Sequence, residues 1–178
     1  METLEEQLCP FCHEKKLTLM EDAQEIPYFG KVYLFSMKCS GCIFSKSDVE
    51  AEQQKEPCKI TFTIENEKDL NVRVVKSSEG SINIPQLKMS VESGPNSEGY
   101  VSNIEGVLRR FEKIIESQKD NVEDEDDKKE AKNLLKKLWK VKQGDIPLKI
   151  VIEDPSGNSA IISEKAVVEK LNVKKENN

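Results

Sequence analysis

Between Cys58 and Glu65 the chain reads CKITFTIE, with Ile60, Phe62 and Ile64 at every second position. Such alternation places apolar side chains on one face of a strand. The same period recurs in VRVV (72–75), SINI (81–84) and LKMSV (87–91), with Gly, Ser and Pro between the segments. Short strands punctuated by turn residues predict an antiparallel sandwich or barrel-like body. Near residue 102 the period changes. Ile104, Val107, Leu108, Phe111, Ile114 and Ile115 recur at helical spacing, and Leu134, Leu135, Leu138 and Val141 do so again beyond the acidic run DNVEDEDD (120–127). The expectation is a helical hairpin at about 102–143, inserted into the β domain. Ser102 and Glu105 are spaced as a capping box, with Ser102 at N-cap and Glu105 at N3. Gly144 should end the second helix. LKIVIED (148–154) returns to strand, DPSGN (154–158) makes a turn, and SAIIS (159–163) reads as a partner strand.

The first fifty residues carry a different pattern. Val32, Leu34 and Ser36 alternate with Tyr33, Phe35 and Met37, and this strand-like run leads into Cys39. A second short β-rich piece, Ile43-Phe44-Ser45, follows Cys42. The polar stretch from Ser47 to Pro57 reads as a linker or one loosely packed strand. The organisation expected is a ribbon module at 1–48, a β domain with its helical hairpin at 49–172, and a flexible tail at 173–178.

Two Cys-x-x-Cys pairs, Cys9/Cys12 and Cys39/Cys42, bracket that module. Each pair lets two thiolates from one tight turn reach the same ion, and two such turns complete a tetrahedral four-cysteine site. Pro10 favours the first turn, and Gly41 in the second offers the position where a positive φ is easiest. A closed shell of four thiolates leaves no place for water or substrate, so one structural Zn2+ is expected. A module this small needs such a staple to fold. A thioredoxin-like pair needs one Cys-x-x-Cys between strand and helix, which neither pair has. Five cysteines, an odd number, suit a disulfide framework poorly. His13 is read as an exposed neighbour of Cys12, and Cys58 as a buried small residue.

Composition narrows the function classes. Lys and Arg number 27 against 33 Asp and Glu, a net charge of -6, which does not favour phosphate backbones overall. The first eight residues hold three glutamates and no apolar core of a signal peptide, and no run approaches a membrane span. A cytoplasmic protein is expected. Gly-rich phosphate loops and Gly-x-Ser-x-Gly are absent, and no serine or cysteine has an evident base beside it. The chain does not read as an enzyme.

Seven segments in order then carry a resemblance: CPFC, IPYF (26–29), MKCSGC, DLNVRVVKS (69–77), INIPQL (82–87), SNIEGVL (102–108) and EDPSGNS (153–159). Together they resemble the ZPR zinc-finger family, in which a four-cysteine ribbon precedes an A-domain. The match runs from Cys9 to about Ile162. Gln86 stands where the family usually has Glu, Ser102-Asn103-Ile104 replaces Thr-Thr-Val, and Cys58 falls where Gly is common. The ribbon-plus-A unit occurs once, as in short archaeal members. The resemblance implies a β-sandwich of the double-stranded β-helix kind with a helical hairpin alongside. It also implies a zinc-binding protein-interaction module that chaperones or escorts translation elongation factor one-alpha, a GTPase.

Two places are expected to meet that partner: Tyr28 and Phe29 at the tip of the ribbon, and Asp154, Gly157 and Asn158 in the DPSGN turn. A competing assignment for both is local packing and ordinary turn chemistry. The alternative function is a nucleic-acid-binding zinc ribbon. Lys15, Lys16, Lys31, Lys38 and Lys46 make the ribbon locally basic, interleaved with Tyr28, Phe29, Tyr33 and Phe35. A thiol oxidoreductase ranks third.

Overall fold

A computed structural model describes residues 1–26, 30–52, 55–94 and 96–171. Tyr28, Phe29 and the 173–178 tail fall outside those residues. The N-terminal sheet is a four-stranded antiparallel meander of β1 (Glu2–Leu8), β2 (Lys15–Ile26), β3 (Gly30–Cys39) and β4 (Ser45–Ala51) in sequential order. β2 and β3 pair without interruption from Leu17↔Cys39 to Ile26↔Gly30. β4 continues the sheet past residue 48, so much of the stretch read as linker or loose strand is a paired strand. Ile43 and Phe44, expected as strand, instead belong to the turn that precedes β4. β1 has no signature in the sequence. All seven of its residues are exposed, and its glutamates and a break in register after Leu4 obscure any alternation.

The second part holds β5 (Cys58–Ile64), β6 (Arg73–Lys76), β7 (Ser81–Ile84), β8 (Met89–Val91), β9 (Tyr100–Asn103), α1 (Ile104–Asn121), α2 (Glu125–Lys142), β10 (Leu148–Asp154), β11 (Ala160–Ile161) and β12 (Val167–Lys170). Five strands form one sheet in the order β12-β5-β10-β7-β8, and three form another in the order β11-β6-β9. The β5 alternation holds, with Ile60, Phe62 and Ile64 at most 2% exposed. They share one core with Ile82, Ile84, Ile150 and Ile152, with Val74 and Ile161 of the other sheet, and with both helices. The helical pattern supplies Val107, Leu108, Phe111 and Ile115 from α1, and Leu138 and Val141 from α2. Gly144, at φ +76, stops the second helix as expected.

Three local expectations are corrected. The helix cap is Asn103, whose Oδ1 accepts the Gly106 amide at 2.8 Å. β9 runs on through Asn103, which pairs with Arg73, so the helix starts at Ile104 and the cap lies one residue beyond Ser102. Glu105 therefore sits too early for N3 and pairs with Arg109 at 2.8 Å instead. SAIIS does not pair with LKIVIED. Both edges of β10 are taken by β5 and β7, and Ala160–Ile161 joins β6 in the other sheet. In LKMSV, Leu87 closes a 3-10 turn begun by Pro85, Lys88 turns left-handed at φ 53, and only Met89–Val91 is strand.

One face of the N-terminal sheet docks on the body. Ile26, Val32 and Val49 are buried against Val75, with Leu34, Ala51, Ala160 and Ile162 around them. Asp48 Oδ1 accepts the Gly99 amide at 2.7 Å across this junction. A side chain at Gly99 would collide with the Val49 carbonyl at 2.6 Å, so glycine permits the close approach.

Candidate metal centre

In an up-and-down meander the β1–β2 and β3–β4 connections lie at the same end, and each carries one cysteine pair. Cys9 follows β1 and Cys39 ends β3, while Cys12 and Cys42 sit in the turns. The turns are closed by backbone bonds: Cys9 N–H donates to Glu14 C=O at 2.9 Å, and Cys39 N–H to Phe44 C=O at 3.0 Å. The Gly41 amide points at Cys39 Sγ, 3.3 Å away. Gly41 does not take a positive φ; its role is room, because a Cβ there would meet Lys16 Cδ at 2.8 Å and Glu14 Oε2 at 2.9 Å. The first turn has a left-handed residue in His13, at φ 58, which is exposed and outside the cysteine cluster.

All four sulfurs lie within 4.8 Å of one another, with Cys9–Cys42 and Cys12–Cys39 both at 3.7 Å. Four thiolates around one zinc at about 2.3 Å make a tetrahedron with edges of about 3.8 Å. The cluster is thus consistent with one structural zinc. Charge supports the same reading. Burial works against the Cys9 thiolate, but the amides of Cys12 and Phe11 and the neighbouring thiols outweigh it and bring Cys9 down to about 7. The Phe44 amide favours the Cys42 thiolate, yet burial and the three other cysteines push Cys42 up to about 12. Four thiols so close cannot all ionise unless a cation shares their charge. Cys58 lies apart, buried at the start of β5 opposite Asp154, and burial raises its thiol further.

The DPSGN turn is mostly internal. Asp154 is fully buried: Ser77 Oγ donates to its Oδ2 at 2.8 Å, and Ser156 Oγ and N–H donate to Oδ1 at 2.7 and 2.8 Å. Lys76, also buried, donates to the Ser77 carbonyl at 2.9 Å. The segments 69–77 and 153–159, far apart in sequence, therefore meet in one polar network. Gly157, at φ +69, lies against the Glu56 backbone, where a Cβ would collide with the carbonyl, and Lys55 N–H bonds the Ser156 carbonyl at 3.1 Å. Asn158 Oδ1 is buried with no hydrogen-bond partner among the described residues.

Sequence reasoning missed the exposed apolar side chains of the ribbon. Leu8, Phe11 and Ile43 stand around the cysteine end, 61%, 66% and 94% exposed. Leu4, Leu19 and Met37 align across strands on the sheet face opposite the docked one, bordered by Glu2, Glu21 and Glu50. Phe11 and Ile43 are the residues beside the cysteines, the only signal that could have marked them. Among the described residues two of the five ribbon lysines are engaged, Lys16 with Glu14 at 2.6 Å and Lys31 with Glu52 at 3.2 Å.

Residues 2–57 match the ZPR1 zinc-finger domain and residues 68–177 the ZPR1 jelly-roll domain. The chain belongs to the ZPR1 family. A ZPR1-like protein of Methanocaldococcus jannaschii is 41% identical over 92% of this chain and 83% of its own length. One from Pyrococcus horikoshii is likewise 41% identical, over 92% of the chain and 75% of its own. A fission-yeast protein, Schizosaccharomyces pombe "Zinc finger chaperone zpr1", is 33% identical over 88% of this chain but only 34% of its own length. The ZPR1 description fits the architecture: a four-cysteine ribbon, then a jelly-roll β domain carrying two helices. Among the described residues no helix is long and apolar enough to cross a membrane.

Proposed function

We propose that this chain is a non-catalytic, cytoplasmic, zinc-dependent binding factor that chaperones or escorts elongation factor one-alpha. In this reading Cys9, Cys12, Cys39 and Cys42 hold the zinc, and the ribbon of about residues 1–48 presents the surface while the β domain of about 49–172 supports it. The observation that carries it is the exposed apolar surface built directly on the cysteine turns, with Phe11 and Ile43 projecting beside the metal ligands. Contiguous exposed apolar surface marks sites where another macromolecule docks. The fission-yeast relative is called a chaperone, which supports a protein partner. Tyr28 and Phe29, between β2 and β3 in sequence, are proposed as a separate contact. Asp154 acts by fixing Ser156, whose carbonyl accepts the Lys55 amide, Gly157 by its close approach to the Glu56 backbone, and Asn158 as the next residue of the same turn.

Zinc-loaded protein and the elongation factor of the same organism provide the test, with GDP, with GTP and without nucleotide, at low and moderate salt. Saturable binding that survives moderate salt, weakens at least tenfold for Phe11→Ser with Ile43→Ser, and disappears for Cys39→Ser with Cys42→Ser is expected. Binding indifferent to both variants would sink the proposal. Binding by nucleic acid through the ribbon would instead collapse steeply with salt.

A further inference from the structure

Helix α2 carries seven lysines in eighteen residues of a chain whose net charge is -6. Three are engaged: Lys128 with Glu125 at 2.8 Å, Lys142 with Glu112 at 2.6 Å, and Lys137 with the Gln86 carbonyl at 2.7 Å. The other four, Lys129, Lys132, Lys136 and Lys140, have no hydrogen bond or ion pair among the described residues; Lys132 only feels the charge of Glu125 from a distance. Their spacing of three, four and four residues puts them on one helix face, opposite the buried Ala131, Leu138 and Val141. At 1.5 Å of rise per residue they form a row about 16 Å long, with steps of about 4.5 to 6 Å. Trp139, the single tryptophan of the chain, stands beside this row and is 57% exposed. Carboxylates bound the face without filling it: Glu125, Asp126 and Asp127 occupy the first turn, and Glu130 lies to one side.

We infer that the outward face of α2 is a binding ridge for single-stranded nucleic acid. The four lysines contact successive phosphates and Trp139 stacks on a base. Lysine is a point charge that meets phosphate without reading sequence, and an aromatic face accepts any base. The combination therefore predicts binding with little sequence preference. A membrane surface fits poorly, because the apolar side of this helix is locked in the core and cannot insert. An acidic polypeptide would satisfy the lysines but would leave the exposed indole unexplained. The ridge is separate from the ribbon and does not depend on the chaperone reading.

The indole supplies its own probe. Full-length, zinc-loaded protein titrated with twelve-nucleotide oligouridylate and, in parallel, oligothymidylate should show saturable quenching of Trp139 fluorescence, and the two arms separate RNA from DNA preference. With four phosphates neutralised, the logarithmic salt slope should be about -2.8. Replacing Lys129, Lys132, Lys136 and Lys140 by Gln should abolish binding, while replacing Lys15, Lys38 and Lys46 by Gln leaves it unchanged. Unaltered circular dichroism and zinc content establish that these surface variants fold. Trp139→Leu, followed with a labelled oligonucleotide, should bind about tenfold more weakly at an unchanged salt slope. The inference is overturned by no saturable quenching, by a quadruple variant that binds like the parent, or by polyglutamate binding as tightly as the oligonucleotides. The last result would assign the ridge to an acidic protein.

Discussion

Single residues set the strictest constraints at the turn from β10 to β11. Burial alone would raise the Asp154 carboxyl, but the hydroxyls of Ser159, Ser156 and Ser77 and the Ser156 amide outweigh it and hold the group below its ordinary range. A carboxyl lowered by folding stabilises the fold above its unfolded value, and that contribution is lost as pH falls through the lower folded value. Asp154→Asn should therefore cost about 2–3 kcal/mol in urea unfolding near neutral pH, by leaving buried donors and Lys76 without their anion. The gap between parent and variant should be widest above pH 5 and close as pH drops below about 4. A constant gap across that range would contradict the assignment. Gly157→Ala should destabilise by about 2 kcal/mol, since it combines a left-handed backbone with a collision against Glu56. DPSGN reads as a turn, and it is one. That its aspartate faces inward is not legible there, because DPSGN has the same polar composition whether exposed or buried.

Elements with a strong period were legible, and those without one were not. Ile60-x-Phe62-x-Ile64 and the two apolar helix stripes report their own burial, so β5, α1 and α2 follow from spacing alone. β1 and β12 are exposed along their whole length and leave no such trace, and their pairing partners had to come from the fold. Cap position is decided between neighbours by the strand that precedes the helix. Asn103 is the last residue of β9 and stands directly before the helix, so its side chain caps, while Ser102 lies one position further back. Asn103→Ala should cost about 1 kcal/mol of thermal or urea stability, and Ser102→Ala distinctly less. Equal losses would restore the earlier placement. The clustering of the four cysteines was legible because paired Cys-x-x-Cys spacing is itself the signal, whereas the apolar residues around them follow no period.

For the whole molecule, the two parts depend on different forces. The ribbon relies on its metal and on a small apolar junction around Val75, while the β domain owns a core of twenty buried residues among those described. Removing zinc with a chelator, or changing Cys39 to Ser, should release amide protection in β2–β4 while the helical circular dichroism of α1 and α2 persists. Simultaneous loss of both would show that the junction couples them more tightly than its size implies.

The register of β5 has a temporal counterpart. Its two ladder partners, β10 and β12, both come from residues beyond 147, so Ile60, Phe62 and Ile64 stay unpaired until most of the chain is available. The ribbon needs only neighbouring strands and is complete by Ala51. Long-range pairing is slow and local pairing fast. During synthesis the metal site should close first, and an aggregation-prone strand then waits for its partners. In refolding with cobalt as a coloured substitute for zinc, thiolate-metal absorbance should appear before the Trp139 signal reaches its native value.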